Sequence, residues 1–137
     1  MLTLVDSSAW IEFIRLKGAP SAKAAVERLL ASRSVACAPP IRYELAKGAR
    51  TARELEYVEM TMELAVQLPC PEVRWREASA LFRALRAKGF EASNMHVLIA
   101  CIAKAEGVRL LTMDRHFETI NRLTAGMIHL DLLAEGA

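Results

Sequence analysis

Residues 2–11 read Leu2-Thr3-Leu4-Val5-Asp6-Ser7-Ser8-Ala9-Trp10-Ile11. Leu2 to Val5 is a short apolar run that stops at an acid. Ser7 or Ser8 then stands ready to cap a helix whose apolar residues Trp10, Ile11, Phe13 and Ile14 keep helical spacing. A strand that passes directly into a helix is half of a crossover unit, and the same switch recurs along the chain. Gly18-Ala19-Pro20 breaks the first helix, and Ser21 to Ala31 resumes helical patterning with Ala25, Val26, Leu29 and Leu30 on the buried side. Ser34 to Cys37 is a second apolar run, stopped by Pro39-Pro40. Pro40 suits the first turn of a helix that carries Ile41, Glu44 and Leu45 toward Gly48.

Thr51 to about Val66 has the pattern of a long amphipathic helix, and Leu64 to Leu68 reads alternatively as a short strand before the Pro69-Cys70-Pro71 turn. Glu72 to Lys88 is helical, with Trp75, Ala78, Leu81, Phe82 and Leu85 as one apolar stripe, and Gly89 ends it. Ser93 or Asn94, with Asn94 preferred, caps a helix from Met95 to Ala105 that is apolar all round, the mark of a buried element, and Gly107 closes it. Val108 to Thr112 reads as a strand, Asp114 to Ile120 as a turn with a short helix, and Met127 to Leu130 as a last strand. Parallel strands need helical crossovers, so this alternation predicts an α/β fold. The expected architecture is a three-layer sandwich with a central parallel sheet of about four to five strands flanked by helices. A single domain over residues 1–137 is expected.

Composition narrows the function. A chain of 137 residues can bury a full core without disulfides or a structural metal. Cys37, Cys70 and Cys101 are odd in number and lack paired spacing, as expected of reduced thiols in a cytoplasmic protein. The longest uncharged run, Ala92 to Ala103, is short of the ~18 residues of a membrane span, and Asp6 comes too early for a signal peptide, so no membrane association is expected. A net charge of +2 shows no basic arm, although 13 of the 18 cations are Arg.

In a doubly wound parallel sheet the carboxyl ends of the strands rim the ligand crevice. Two of the three Asp residues, Asp6 and Asp114, follow strands, and Glu44 lies in the helix after the second strand. Singly, each is an ordinary cap, turn former or solvated helix residue. Together at one sheet edge they would repel and raise one another's pKa unless they share a cation. Hard oxygen donors of this kind suit Mg²⁺ or Mn²⁺, which can activate water and stabilise charge developing on a phosphodiester. With three acids so neutralised, the balance rises to +5, 18 cations against 13 acids, and a polyanionic substrate is no longer disfavoured.

Three stretches carry a resemblance to a known family. Val5-Asp6-Ser7-Ser8-Ala9-Trp10-Ile11 resembles the opening strand-Asp-(Ser/Thr)-Ser segment of PIN-domain ribonucleases, and in particular of the VapC-type toxins. Tyr43-Glu44-Leu45-Ala46-Lys47-Gly48 resembles their Glu-bearing helix. Leu110-Leu111-Thr112-Met113-Asp114-Arg115-His116-Phe117 resembles their late strand-Thr-x-Asp-x-x-Phe segment. The resemblance implies a metal-dependent endoribonuclease acting on structured RNA, with Asp6, Glu44 and Asp114 as metal ligands. It also implies a homodimer and a cognate antitoxin that plugs the groove. The family's fourth acid precedes a Leu-Ile-Ala-Ala run, eleven residues ahead of the helix-ending glycine. Here that position, before Val97-Leu98-Ile99-Ala100-Cys101 and Gly107, is His96, and a two-residue slip would make it Asn94 instead. Imidazole brings no negative charge and shifts preference toward Mn²⁺ or Zn²⁺. His96 therefore reads either as a fourth catalytic residue or as the mark of a catalytically impaired binding protein of the same fold. Ser7 and Thr112 are expected to orient ligands. Arg42, Lys47, Arg50 and Arg53 around Glu44, with Arg115 beside Asp114, are expected to meet RNA phosphates. His116 and His129 read as structural. A phosphoacceptor receiver domain would need an acidic pair after the first strand, where this chain has Ser7-Ser8 after Asp6.

Overall fold

The computed structural model describes residues 1–134. Five strands, β1 (Thr3–Val5), β2 (Val35–Cys37), β3 (Val66–Gln67), β4 (Arg109–Thr112) and β5 (His129–Leu132), form one sheet in the order β3-β2-β1-β4-β5. Every neighbouring pair is parallel, with Leu4 opposite Ala36 on one side and Leu110 on the other. β1 and β2 are buried at every residue and apolar except for Thr3, as a sheet covered on both faces requires. Seven helices connect the strands: α1 (Ser7–Ile14), α2 (Pro20–Ala31), α3 (Pro39–Gly48), α4 (Ala52–Met62), α5 (Glu72–Ala87), α6 (Asn94–Glu106) and α7 (His116–Leu123).

The chain winds outward from β1 to β2 and β3, then returns past β1 to β4 and β5. Right-handed crossovers therefore put α1 to α4 on one face and α5 to α7 on the other. The packing follows this division: α1 lies on α2 and α3, α3 on α4, α5 on α6, and α6 on α7. α3 also touches α6. The strand order reverses between β1 and β4, which makes the crevice at their carboxyl ends the natural ligand position.

The core runs through both layers. Trp10 of α1 is fully buried and meets Phe13 edge to face at 5.9 Å. On the opposite face Val97 through Ala103 of α6 are all buried, as expected of a helix apolar all round. Gly107 ends α6 at φ 64°, and its N–H returns to the carbonyls of Ala103 and Lys104. Gly18 allows the chain to pass close over α1, since a Cβ there would lie 1.7 Å from the Glu12 carbonyl oxygen. Among the described residues no helix is long and apolar enough to cross a membrane.

Four local expectations are corrected. The cap of α1 is Asp6 rather than Ser7 or Ser8, because the Asp6 carboxylate accepts the Ser8 N–H. Ser93, not Asn94, caps α6 through the His96 N–H. Trp75 leaves the α5 stripe and is 54% exposed, while Ala78 and Leu85 carry the burial. The last strand begins at His129, two residues later than the apolar run suggested, because Gly126 at φ 79° and the Asn121 side chain, bonded to Ile128, hold the preceding turn.

Candidate active site

Asp6 leaves β1 at the sheet's carboxyl edge and is only 3% exposed. Burying a carboxylate costs several kcal/mol unless hydrogen bonds replace its water. Ser8 Oγ donates to Asp6 Oδ2 at 2.7 Å and Thr112 Oγ1 donates to the same oxygen at 2.8 Å. The Ser8 N–H adds a longer contact of 3.4 Å. Since each hydroxyl has one proton and gives it to Asp6, the 3.1 Å approach of Ser8 Oγ to Thr112 Oγ1 is a packing contact.

The same two hydroxyls accept from β4's end. Ser8 Oγ takes the Met113 N–H at 3.0 Å, and Thr112 Oγ1 takes the Asp114 N–H at 3.0 Å. The two strand ends are thereby joined through side chains just where backbone pairing stops. This lattice is what brings Asp114 beside Asp6 in register, and it adds Ser8 to the orienting residues Ser7 and Thr112. Asp6 Oδ1 takes no hydrogen bond from the described residues and is left for a ligand.

Glu44 reaches the site from the second turn of α3. Ser7 Oγ donates to its Oε1 at 3.2 Å. Burial and the neighbouring negative charge of Asp6 push the Glu44 carboxyl above its ordinary range, against the pull of Ser7, His96 and Lys47. Two neighbouring carboxylates, each with an oxygen free of donors among the described residues, fit a divalent cation.

Asp114 is held from the other side by nitrogen donors. His96, in the first turn of α6, places Nε2 2.8 Å from Asp114 Oδ2. His116, at the start of α7, places Nδ1 3.0 Å from Asp114 Oδ1, and its backbone N–H donates to that oxygen at 2.9 Å. The structural role expected of His116 is corrected, because its side chain is 62% exposed and belongs to this cluster. The signal for it was an Asp two residues before a helix start, whose carboxylate turns back to the chain and draws the second residue with it. His129 is exposed on β5, and Asn94 is exposed on α6.

The sequence-chosen residues Asp6, Glu44, His96 and Asp114 thus converge at one edge. The basic residues chosen around Glu44 do not all converge. Lys47 lies over the Tyr43 ring at 5.2 Å. Arg42 lies near Cys37, whose thiol burial pushes up and the guanidinium opposes. Arg53 lines a cavity of about 740 Å³ between α1, α3 and α4 together with Glu44, Ile14 and Tyr57. A second cavity, of about 880 Å³, lies on the Asp114 side, with Lys17, Arg115 and His116 in its wall.

A sequence model of the PIN domain matches residues 3–123, from the first strand through α7. The chain belongs to the PIN-domain family. Ribonuclease VapC11 of Mycobacterium tuberculosis is 30% identical to this PIN domain over 127 residues, spanning 90% of this chain and 94% of that protein. A VapC ribonuclease of Mycobacterium bovis is similar to the same extent. DNA-bound VapBC from Salmonella typhimurium superposes with a TM-score of 0.77 at 21% identity, over 96% of this chain and 98% of the other. VapBC2 from Rickettsia felis, bound to a promoter DNA fragment, gives 0.76 at 18% identity over 97% and 99%. At these identities the superpositions speak for the fold.

Proposed function

We propose that this PIN domain is a metal-dependent endoribonuclease toxin of the VapC kind that cleaves structured RNA in the cytoplasm and is restrained by a cognate antitoxin protein. The observation that carries the reading is the convergence of Asp6, Glu44 and Asp114 at the switch point of the sheet, with the Glu44 carboxyl raised by burial and by the neighbouring charge of Asp6. Asp6, Glu44 and Asp114 would hold Mg²⁺ or Mn²⁺, which when bound activates water and stabilises charge developing on the phosphodiester. Ser8 and Thr112 fix Asp6 through Oδ2, so that Oδ1 keeps one direction toward the cleft. Ser7 does the same for Glu44. Lys17 and Arg115 in the wall beside Asp114 suit RNA phosphates, and recognition rests on backbone contacts and shape.

The cavity beside Glu44, with apolar walls and Arg15 and Arg53 at its margin, supports the antitoxin reading, since an extended or helical segment would cover the acids from there. The VapC relatives and the VapBC complexes that share the fold support it further. Exposed Tyr57, Met60, Leu64 and Val66 along α4 and β3, with Trp75 on α5, support a homodimer.

RNA cleavage by the wild type, Asp6→Asn and His96→Asp in Mg²⁺ and in Mn²⁺ tests the proposal. The wild type cleaves a folded RNA and Asp6→Asn does not. A second reading, an impaired nuclease that retains its binding partners, is favoured by one observation: His96 occupies Asp114 Oδ2 at 2.8 Å where the family carries an acid. An inert wild type together with an active His96→Asp would establish that reading instead.

A further inference from the structure

The acids of the cleft fall into two chemically different halves. Asp6 and Glu44 offer oxygen alone. Asp114 is flanked by two imidazoles, and one ligand atom from each of His96, Asp114 and His116 lies within 4.8 Å of the others. Neither Asp6 nor Glu44 belongs to that group. From this arrangement we propose that His96, Asp114 and His116 form a binding site for a borderline first-row transition-metal dication of the Zn²⁺ and Co²⁺ class, distinct in its selectivity from the Mg²⁺-type donors Asp6 and Glu44.

Donor chemistry sets the selectivity. Mg²⁺ dehydrates reluctantly and prefers oxygen, whereas imidazole nitrogens suit the later first-row dications. Two imidazoles and one carboxylate leave coordination positions open to water or to an RNA phosphate. Geometry allows the closure. Bonds of about 2.1 Å at tetrahedral angles put ligand atoms about 3.4 Å apart, so a gap near the 4.8 Å limit must narrow by about 1.4 Å. His116 can make that movement, being exposed at the first residue of α7. His96 provides the fixed wall: its side chain is 16% exposed, and its ring meets Phe117 edge-on at 4.7 Å and His116 at 5.3 Å.

An independent observation concerns the far side of the His96 ring. Its Nδ1 is buried with no hydrogen-bond partner among the described residues. A buried polar atom left unpaired costs about 1–3 kcal/mol. Coordination at Nε2 displaces the Nε2–H···Asp114 hydrogen bond and moves the ring proton to Nδ1, which has no acceptor among the described residues, so His96 binds an ion more weakly than a histidine whose second nitrogen is paired.

The inference rests on the nuclease reading only for the use made of the ion, and binding is measured without RNA. Full-length protein is titrated with Co²⁺, followed by its visible absorption, and then with Zn²⁺ or Mg²⁺ as competitor. The expected result is one equivalent of Co²⁺ bound, displaced by Zn²⁺ and not by a 100-fold excess of Mg²⁺. His96→Gln and His116→Gln each weaken Co²⁺ binding by roughly 10–100-fold, and Asp6→Asn changes it by less than about twofold. His116→Gln lies at an exposed position and keeps the fold, which its circular dichroism verifies. Absence of a Co²⁺ band, a band unmoved by both His variants, or a band lost in Asp6→Asn overturns the proposal. RNA cleavage in Mg²⁺ without His-dependent Co²⁺ binding would refute this site and leave the nuclease reading standing. His-dependent Co²⁺ binding with no cleavage in any metal would do the reverse.

Discussion

Thr112→Val isolates the lattice that builds the site. Valine has nearly the shape of threonine and favours a strand, so the change removes a hydroxyl from a fully buried position without opening a cavity. Two bonds go with it: the donation to Asp6 Oδ2 at 2.8 Å and the acceptance of the Asp114 N–H at 3.0 Å. A hydrogen bond to a charged group is worth about 1.5–3 kcal/mol, and a neutral one about 1 kcal/mol. Ser8 still donates to Asp6, so the carboxylate is not left bare and the lower part of the range applies. The expected loss is roughly 2–3 kcal/mol, or about 6–10 °C in Tm for a chain of this length. Urea unfolding followed by circular dichroism measures it, with the midpoint falling and the slope unchanged. Thr112→Ser is the control. It keeps both bonds, loses one methyl group, and should cost only about 1 kcal/mol. If Thr112→Val proves no less stable than Thr112→Ser, the hydroxyl lattice does not hold Asp6 and the account of the site fails.

Other perturbations test separate parts of the molecule. Glu44→Gln removes a charge that burial and Asp6 disfavour; it should raise Tm in metal-free protein while lowering cleavage, and a fall in Tm would mean that Glu44 is instead stabilised where it lies. Gly18→Ala puts a methyl group against the Glu12 backbone and should destabilise by roughly 1–3 kcal/mol in urea unfolding, because a carbonyl on α1 cannot move aside as a side chain would. The Cys101 thiol, pushed up to about 11 by burial, with Glu77 adding to the shift, stays protonated in the folded chain while the unfolded chain ionises near 9. Stability from this group is therefore complete below pH 9 and declines toward pH 11, and Cys101→Ala should flatten that decline in unfolding measured across the interval.

Legibility differed from element to element for physical reasons. β1, β2 and β4 are buried on both faces, so they stood out as apolar runs, and the acids ending β1 and β4 could be placed from the strands alone. β3 is two exposed residues at the sheet edge, Val66 and Gln67, with no periodicity to separate it from the end of α4. Helical spacing placed Trp75 on the stripe of Ala78 and Leu85, yet Trp75 sits in the first turn of α5. Periodicity states which way a residue faces and not whether a neighbour reaches that far. His116 was hidden for another reason. Its tie to Asp114 comes from a carboxylate folding back on its own chain, which strand and helix patterns do not register.

A histidine at position 96, compared with an acid there, also alters how the empty and loaded forms of the cleft are balanced. A carboxylate at that position would stand beside Asp114 and near Glu44, adding a like charge close to a carboxyl that burial and Asp6 already push up. His96 instead donates a 2.8 Å hydrogen bond to Asp114, and its influence on Glu44 is to lower it. The cleft is thus less strained without an ion than an all-acid cleft would be. The free energy that an all-acid site regains on binding Mg²⁺ is correspondingly smaller here, because part of the repulsion that binding would relieve is already gone. A residue that steadies the metal-free fold and a residue that weakens the drive for Mg²⁺ are the same residue. For that reason the nuclease reading and the choice of metal must be measured together at position 96.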